Sequence, residues 1–322
     1  MFIKKINGKR YLIVLDDVWN EDREKWFSLK KILIGGARGS RIVMTTRSQR
    51  VAKISQPIQP HVLQELDKQH AWSLFKKMAF VEGEELKEAS FVNVGKDILK
   101  MCVGVPLAIR TIGGLLYFKK SKIEWLSFKD NDLSKIPQNE NDILPILKLS
   151  YNHLPSHLKQ CFAYCNLFPK NYKIEKSSLI KMWMAQGFIM LYDEKQCLED
   201  VGHGYLMDLL WRSFFQDVEE DELGNISTFK MHDLMHDIAI QVMGSESTTI
   251  YSEDKGIDEK TCHVSFGDTL YSSSEIPISL YKAGRIKTFL LPCKSYWIDC
   301  SAYSAIICIV WGLKLFHALS KS

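Results

Sequence analysis

"YLIVLDDVW", running from Tyr11 to Trp19, is an apolar run that stops at two carboxylates and a tryptophan. A run of this kind reads as a buried parallel strand. Such a strand delivers Asp16 and Asp17 to the carboxyl-end rim of a sheet, where open α/β sheets hold their ligands. Paired acids at that rim can meet a metal bound to phosphate, or they can merely cap the helix that follows. The flanking text supports a sheet. "EDREKWFSLKKILIGG" (21–36) carries Trp26, Leu29 and Ile32/Leu33 at helical spacing with Gly35 and Gly36 as a stop. "SRIVMTT" (40–46) and "HVLQEL" (61–66) follow as further strands, which makes a βαβ rhythm and predicts a parallel sheet with right-handed crossovers.

From Asp67 the pattern turns helical. "DKQHAWSLFKKMAF" sets Ala71, Phe75 and Met78/Ala79 on one face behind an aspartate cap. A second helix over about 84–103 ends at Gly104, and a third starts with Pro106 in its first turn. The polar stretch "KDNDLSKIPQNEND" (129–142) reads as a linker. Beyond it, "ILPILKLSYNHL", "SHLKQCFAYCNLF" and "EKSSLIKMWMAQGFI" read as short helices, with a longer one near 198–213. "FFQDV" and "STFKMH" flank a turn-rich hairpin loop, and "HDLMHDIAIQV" closes with a helix. Helices followed by a hairpin describe a winged-helix-like module. The fold class is thus α/β followed by all-α. The modules are a partial parallel sheet over 1–60, a helical bundle over 61–130, a winged helix over 131–245 and an irregular tail over 246–322. In the tail, "CHVSF" and "RIKTFLL" are short apolar pieces.

Composition narrows the class. The 322 residues are 46% hydrophobic and 25% charged, enough to bury a core, and a net charge of +4 spread along the chain gives no basic stripe for nucleic acid. Eight irregularly spaced cysteines suit free thiols in a reducing, cytoplasmic compartment. The start has no signal-peptide apolar region, and "SAIICIVWGL" (304–313) is too short to span a bilayer.

Each candidate site residue has a plain structural reading beside the functional one. Arg47, at the end of "GSRIVMTTR", is a surface arginine or a group that reaches a γ-phosphate. Pro106 in "GVPLAI" is helix punctuation or a ring that covers an adenine face. His232 and His236 in "MHDLMHD" stand at i and i+4, a spacing that suits zinc, but no third ligand is evident. Cys161 and Cys165 share a helical face with Phe168 and read as core. A helix over 175–187 could read DNA through Lys176 and Lys181. Its apolar set, Leu179, Ile180, Trp183 and Met184, is better suited to an exposed protein contact.

The order of the pieces is more specific than any one of them. LIVLDDVW, GSRIVMTTR, AWSLF, GVPLAI, LKLSYNHLPSHLKQCFAYCNLFPK and MHDLMHD together resemble the NB-ARC region of plant nucleotide-binding leucine-rich-repeat immune receptors. The tryptophan of LDDVW resembles the coiled-coil subclass, and the tail resembles the lead-in to such receptors' repeats. The resemblance implies an ADP/ATP switch with Mg2+ in plant defence. Carried over by position, Asp16 holds the magnesium, Asp17 is the candidate base, Arg47 senses the γ-phosphate, Pro106 covers the adenine and His232 contacts the ADP β-phosphate. Asp233 helps hold the closed form, and His236 and Asp237 are ordinary helix residues.

This chain departs from that pattern at one point. No G-x-x-x-x-G-K-[ST] string, which would cradle phosphates with backbone N–H groups and a lysine, occurs in it, and "GGARGS" (35–40) has neither the lysine nor the spacing. Residues 246–322 likewise contain no L-x-x-L-x-L-x-x-N series. The expectation is therefore an internal slice of a receptor, impaired in nucleotide binding and not itself an enzyme, with an open sheet edge. Alternatively, it is a protein-interaction module or decoy that pairs with an intact receptor or associates with itself.

Overall fold

The computed structural model describes residues 6–55, 60–81, 89–136, 143–191, 196–250, 257–266 and 285–290. They belong to two compact units, residues 1–64 and 65–322.

In the first unit, β1 (Leu12–Leu15) and β2 (Arg41–Met44) pair in parallel, Leu12 with Arg41 through Leu15 with Met44. Between them runs α1 (Arg23–Leu33), capped by the Asp22 carboxylate, which accepts from the N–H groups of Glu24 and Lys25. A further helix, α2 (Gln49–Ser55), follows β2. Two expectations fail here. β1 is not buried on both faces: Leu12 is 67% exposed and Val14 62%, because a two-stranded sheet with these helices covers one side only. "HVLQEL" forms no strand, and its Val62 and Leu63 stand exposed. Its alternation is that of a strand, but a strand needs a neighbour for its N–H and C=O groups, and β1 pairs only with β2 among the described residues.

The second unit begins with a bundle. α3 (Lys68–Ala79) starts where the Asp67 carboxylate accepts from Gln69 and His70 N–H, each at 2.9 Å. Its face of Ala71, Phe75 and Ala79 is buried with α4 (Ala89–Lys100) and α5 (Pro106–Tyr117) in one core. The expected start of α4, residue 84, lies outside the described residues. Trp125, on α6 (Lys122–Ser127), anchors the aromatic centre against Phe75, Phe80 and Phe91, and its indole N–H donates to the Lys119 carbonyl at 3.0 Å. The stretch read as a linker continues as helical turns over Phe128–Asp132 and Leu133–Lys135, with Phe128 and Leu133 buried. A π-turn spaces its apolar residues five apart, a period hidden in a polar sequence. Residues 137–142 of that stretch lie outside the described ones.

The winged helix comprises α7 (Leu144–Asn152), α8 (Ser156–Tyr164), β3 (Ile174–Glu175), α9 (Lys176–Ala185), α10 (Leu198–Trp211), β4 (Phe215–Glu220), β5 (Ile226–Met231) and α11 (Asp233–Met243). The wing is a three-stranded sheet ordered β3-β5-β4, one strand more than the expected hairpin. Leu179, Ile180 and Trp183 on α9 are buried in this module's own core rather than offered to a partner, and Met184 packs at its margin. The Trp183 indole donates to the Cys161 carbonyl at 3.1 Å. Cys161 and Cys165 are core residues, as expected. The tail holds β6 (Ser247–Ile250), β7 (His263–Phe266) and β8 (Thr288–Leu290), parallel neighbours in chain order, Ser247 opposite His263 and His263 opposite Thr288. Sequential parallel strands of this kind are the stacking pattern of a solenoid. The stretch 304–313 lies outside the described residues. Among those described, no helix is long and apolar enough to cross a membrane.

Candidate functional site

Three sequence-predicted residues converge in the first unit. The carboxyl ends of β1 and β2 lie side by side, since Thr45 N–H donates to the Leu15 carbonyl and Val18 N–H to the Thr45 carbonyl, each at 2.9 Å. This locks the acid turn to the Thr45–Arg47 turn. The Thr45 hydroxyl donates to Asp16 and accepts from the Asp17 N–H at 2.8 Å, so one side chain positions both acids. Asp17 sits at φ +51°, a left-handed conformation that aspartate tolerates better than most residues. That twist aims its carboxylate away from Asp16 and toward Arg47.

The Arg47 guanidinium binds Asp17 through Nη2 at 3.2 and 3.3 Å to the two carboxylate oxygens, with Nε 3.3 Å from Oδ1. It also lies over the Trp19 ring, 4.5 Å from its centroid. The last residue of LDDVW is therefore a platform that holds the arginine at the strand ends. Behind this cluster Ser48 Oγ donates to Glu21 at 3.0 Å and Arg50 pairs with Glu21 at 3.3 Å. The roles of Thr45 and Glu21 escaped the sequence reading. The signal present was the Thr-Thr pair between strand end and arginine, two hydroxyls at the carboxyl end of β2.

These residues fit a magnesium ion. Mg2+ takes hard oxygen donors, commonly one or two carboxylates completed by phosphate and water. Asp16 is exposed and hydrogen-bonded through the Thr45 hydroxyl, with its carboxylate not committed to a cation among the described residues. Asp17, by contrast, is already bonded to an arginine. No cluster of three or more His, Cys, Asp or Glu side chains that could hold a metal occurs among the described residues.

In the second unit, Pro106 is the first residue of α5 and is exposed. The corner before it is tight: Gly104 adopts φ +70°, and a Cβ there would lie 2.6 Å from the Leu66 carbonyl oxygen. Glycine is required at this point, and the corner presents the proline ring outward. His232 caps α11, its Nδ1 accepting the Leu234 N–H at 3.1 Å. A nitrogen that accepts carries no hydrogen, so the neutral ring bears its hydrogen on Nε2 as a donor. Asp233 is buried in the first turn. The second His-Asp pair differs: His236 is buried with Nε2 2.7 Å from the Phe168 carbonyl, burial depressing its basicity, while Asp237 pairs with Lys170 at 2.6 Å. Both are helix residues tied to the Phe168–Lys170 turn.

An NB-ARC domain profile matches residues 1–85, and a profile described as disease resistance protein winged helix domain matches residues 167–239. The chain is 44% identical over 277 residues to the putative disease resistance protein RGA4 of Solanum bulbocastanum, covering 86% of this chain and 28% of that protein. It is 45% identical over 244 residues to disease resistance protein RGA2 of the same plant, covering 76% of this chain and 25% of that protein. It is 34% identical over 265 residues to disease resistance protein RPM1 of Arabidopsis thaliana, covering 80% of this chain and 28% of that protein. The chain thus spans about a quarter of the length of these relatives.

Proposed function

Because the chain belongs to the plant NB-ARC disease-resistance family, we propose that it forms part of a cytoplasmic ADP/ATP switch in plant defence. The observation that carries this is the strand-end cluster, in which Thr45 holds Asp16 and Arg47 holds Asp17. In this reading Asp16, with Thr45 beside it, holds Mg2+, whose chemistry is to neutralise phosphate charge. Arg47 exchanges the Asp17 carboxylate for a γ-phosphate, an anion that can likewise accept two N–H bonds from a guanidinium, and so reports which nucleotide is bound. Asp17 can act as a base only after that exchange frees its oxygens. For Pro106 and His232, in the second unit, the roles of adenine cover and β-phosphate contact rest on the family resemblance alone.

The polypeptide of 322 residues has no G-x-x-x-x-G-K-[ST] string, so by itself it lacks the main phosphate cradle. Charge-assisted bonds contribute about 1.5–3 kcal/mol each. Loss of two or three of them lowers affinity by several orders of magnitude, to dissociation constants on the order of millimolar. This polypeptide is accordingly not a hydrolase on its own. The same absent string favours a second reading, a protein-interaction module that needs no nucleotide. Titration of the purified chain with ADP and with ATP plus Mg2+, followed by amide chemical shifts, tests both. Weak binding that moves the signals of Asp16, Thr45, Arg47 and His232, and is lost in Asp16→Ala and His232→Ala, supports the switch. Micromolar affinity refutes the weak-binding inference. Unmoved signals at saturating nucleotide refute the switch and leave the interaction module.

A further inference from the structure

The net charge of +4 divides unevenly between the two compact units. Residues 1–64 hold 13 lysines and arginines against 5 acids, a net charge of +8, whereas the remainder holds 29 against 33, a net charge of −4. Within the first unit the two signs are also separated in space. Its acids all stand at the carboxyl end of the strands: Asp16 and Asp17 follow β1, Glu21 pairs with Arg50, and Asp22 and Glu24 begin α1. From there α1 runs back for 11 residues, about 16 Å at 1.5 Å per residue, to the amino end of the sheet. None of this unit's acids reaches that end.

Four cations meet there instead. The Gly8 N–H donates to the Gly35 carbonyl at 2.8 Å, the Ala37 N–H to the Lys9 carbonyl at 3.0 Å and the Arg41 N–H to the Tyr11 carbonyl at 2.9 Å, so the turns that precede β1 and β2 are tied together. This sets Lys9 and Arg10 beside Arg38 and Arg41, all four exposed. The Arg10 guanidinium lies against Gly39, Nε donating to its carbonyl at 3.3 Å. None of the four makes an ion pair among the described residues. Lys30 and Lys31, in the last turn of α1, extend the rim, although a helix carboxyl end favours cations without any ligand. Ile34, just beyond them, is 78% exposed. Like charges gathered at one rim repel one another, and an anionic surface relieves that repulsion.

We propose that this rim docks on an anionic membrane surface, with Lys9, Arg10, Arg38 and Arg41 against the headgroups and Ile34 dipped into the interface. Clusters of four or more lysines and arginines are what anionic leaflets attract, and an exposed aliphatic side chain beside them gains from burial at the boundary between headgroups and acyl chains. Nucleic acid fits less well. An aliphatic side chain gains nothing from a phosphodiester backbone, and Tyr11, the aromatic residue between the two turns, is half-buried with its hydroxyl bonded to the Leu33 carbonyl at 2.7 Å, so it is no stacking platform. The rim offers a groove only turns and a helix end, not a helix face or a ribbon. It lies at the opposite end of β1 and β2 from Asp16 and Arg47, so docking leaves that cluster uncovered.

Co-sedimentation of the purified chain with vesicles of phosphatidylserine and phosphatidylcholine in equal parts, against vesicles of phosphatidylcholine alone, tests this without nucleotide. The expected result is pelleting with the anionic vesicles only, weakening as salt rises. Arg38→Gln combined with Arg41→Gln weakens partitioning by about twenty-fivefold, about fivefold for each cation near the surface, whereas Lys120→Gln combined with Lys122→Gln in the second unit leaves it unchanged. Ile34→Ser weakens it by about fivefold and leaves the salt dependence as it was. All five side chains are exposed, so folding is not at stake. Equal pelleting with both kinds of vesicle, pelleting with neither, or equal losses from the two double variants would each overturn the proposal. So would a short DNA duplex that strips the chain from the vesicles while Ile34→Ser changes nothing, a result that assigns the rim to nucleic acid.

Discussion

Thr288→Val tests whether one hydroxyl ties the parallel sheet of the tail to the winged helix. The Thr288 Oγ1 accepts from the Gln186 side-chain amide at 3.0 Å and lies 3.1 Å from the Tyr164 hydroxyl and 3.0 Å from His263 Nδ1. A hydroxyl has one hydrogen and two lone pairs, so three partners saturate it. Burial pushes the Tyr164 phenol up to about 12 and the His263 imidazole down to about 4, the latter with help from Lys287, so both are neutral partners near pH 7. Valine keeps the shape and removes all three bonds. Gln186 is part-buried and can reach water, but Tyr164 and His263 are buried and each loses about 1–3 kcal/mol. The expected cost is about 2–5 kcal/mol in urea unfolding, whereas Thr288→Ser, which keeps the hydroxyl, costs about 1 kcal/mol for its methyl group. Hydrogen exchange locates the effect: amides of β6, β7 and β8 lose more protection than those of α9. Valine costing no more than serine would refute the argument, as would Tyr164→Phe and Thr288→Val adding independently in a double-mutant cycle.

Stability should fall in mild acid. The folded His263 binds its proton only near pH 4 and His236 is shifted the same way by burial, so between about pH 6.5 and pH 4 the unfolded chain takes up more protons than the folded one. Stability is thus held above pH 6.5 and lost below it, and His263→Gln should flatten that slope in a pH series of urea midpoints. Gly104→Ala should cost about 2 kcal/mol or more, because a left-handed alanine would also press on the Leu66 carbonyl 2.6 Å away, and a thermal melt reads it. Cys102, Cys161 and Cys165, buried and with thiols pushed up by burial, should resist alkylation until unfolding, while exposed Cys197 labels quickly, as peptide mass mapping would show.

Local codes were legible wherever partner and pattern lie close together. Asp67 as a cap, Gly104 as a stop, Pro106 as a start and the hairpin closing on α11 all depend on a few consecutive residues. Distance defeats such reading. β3 has two residues, below any period, and exists because Ile174 lies opposite Phe229. The Thr288 network joins residues up to 124 positions apart, so no window contains it. The set Leu179, Ile180 and Trp183 was legible as apolar but not as covered. Gly202 shows why: an added Cβ would come within 2.7 Å of both Ile180 and Ile189, so the missing side chain on α10 lets α9 pack inward.

The strand-end acids show the same limit at the level of chemistry. In sequence, Asp16 and Asp17 are two identical groups, and only order distinguishes their roles. In the fold, backbone twist separates them: Asp16, directly after β1, takes the Thr45 hydroxyl, while Asp17 turns to φ +51° and takes Arg47. One acid is bonded to a neutral donor and can accept a cation at little cost, because a hydroxyl can rotate to lend its own oxygen. The other is compensated by a guanidinium and must give up that partner before doing anything else. The asymmetry therefore belongs to the Thr45–Arg47 turn rather than to the acids. A change in what Arg47 binds is what would alter the state of Asp17.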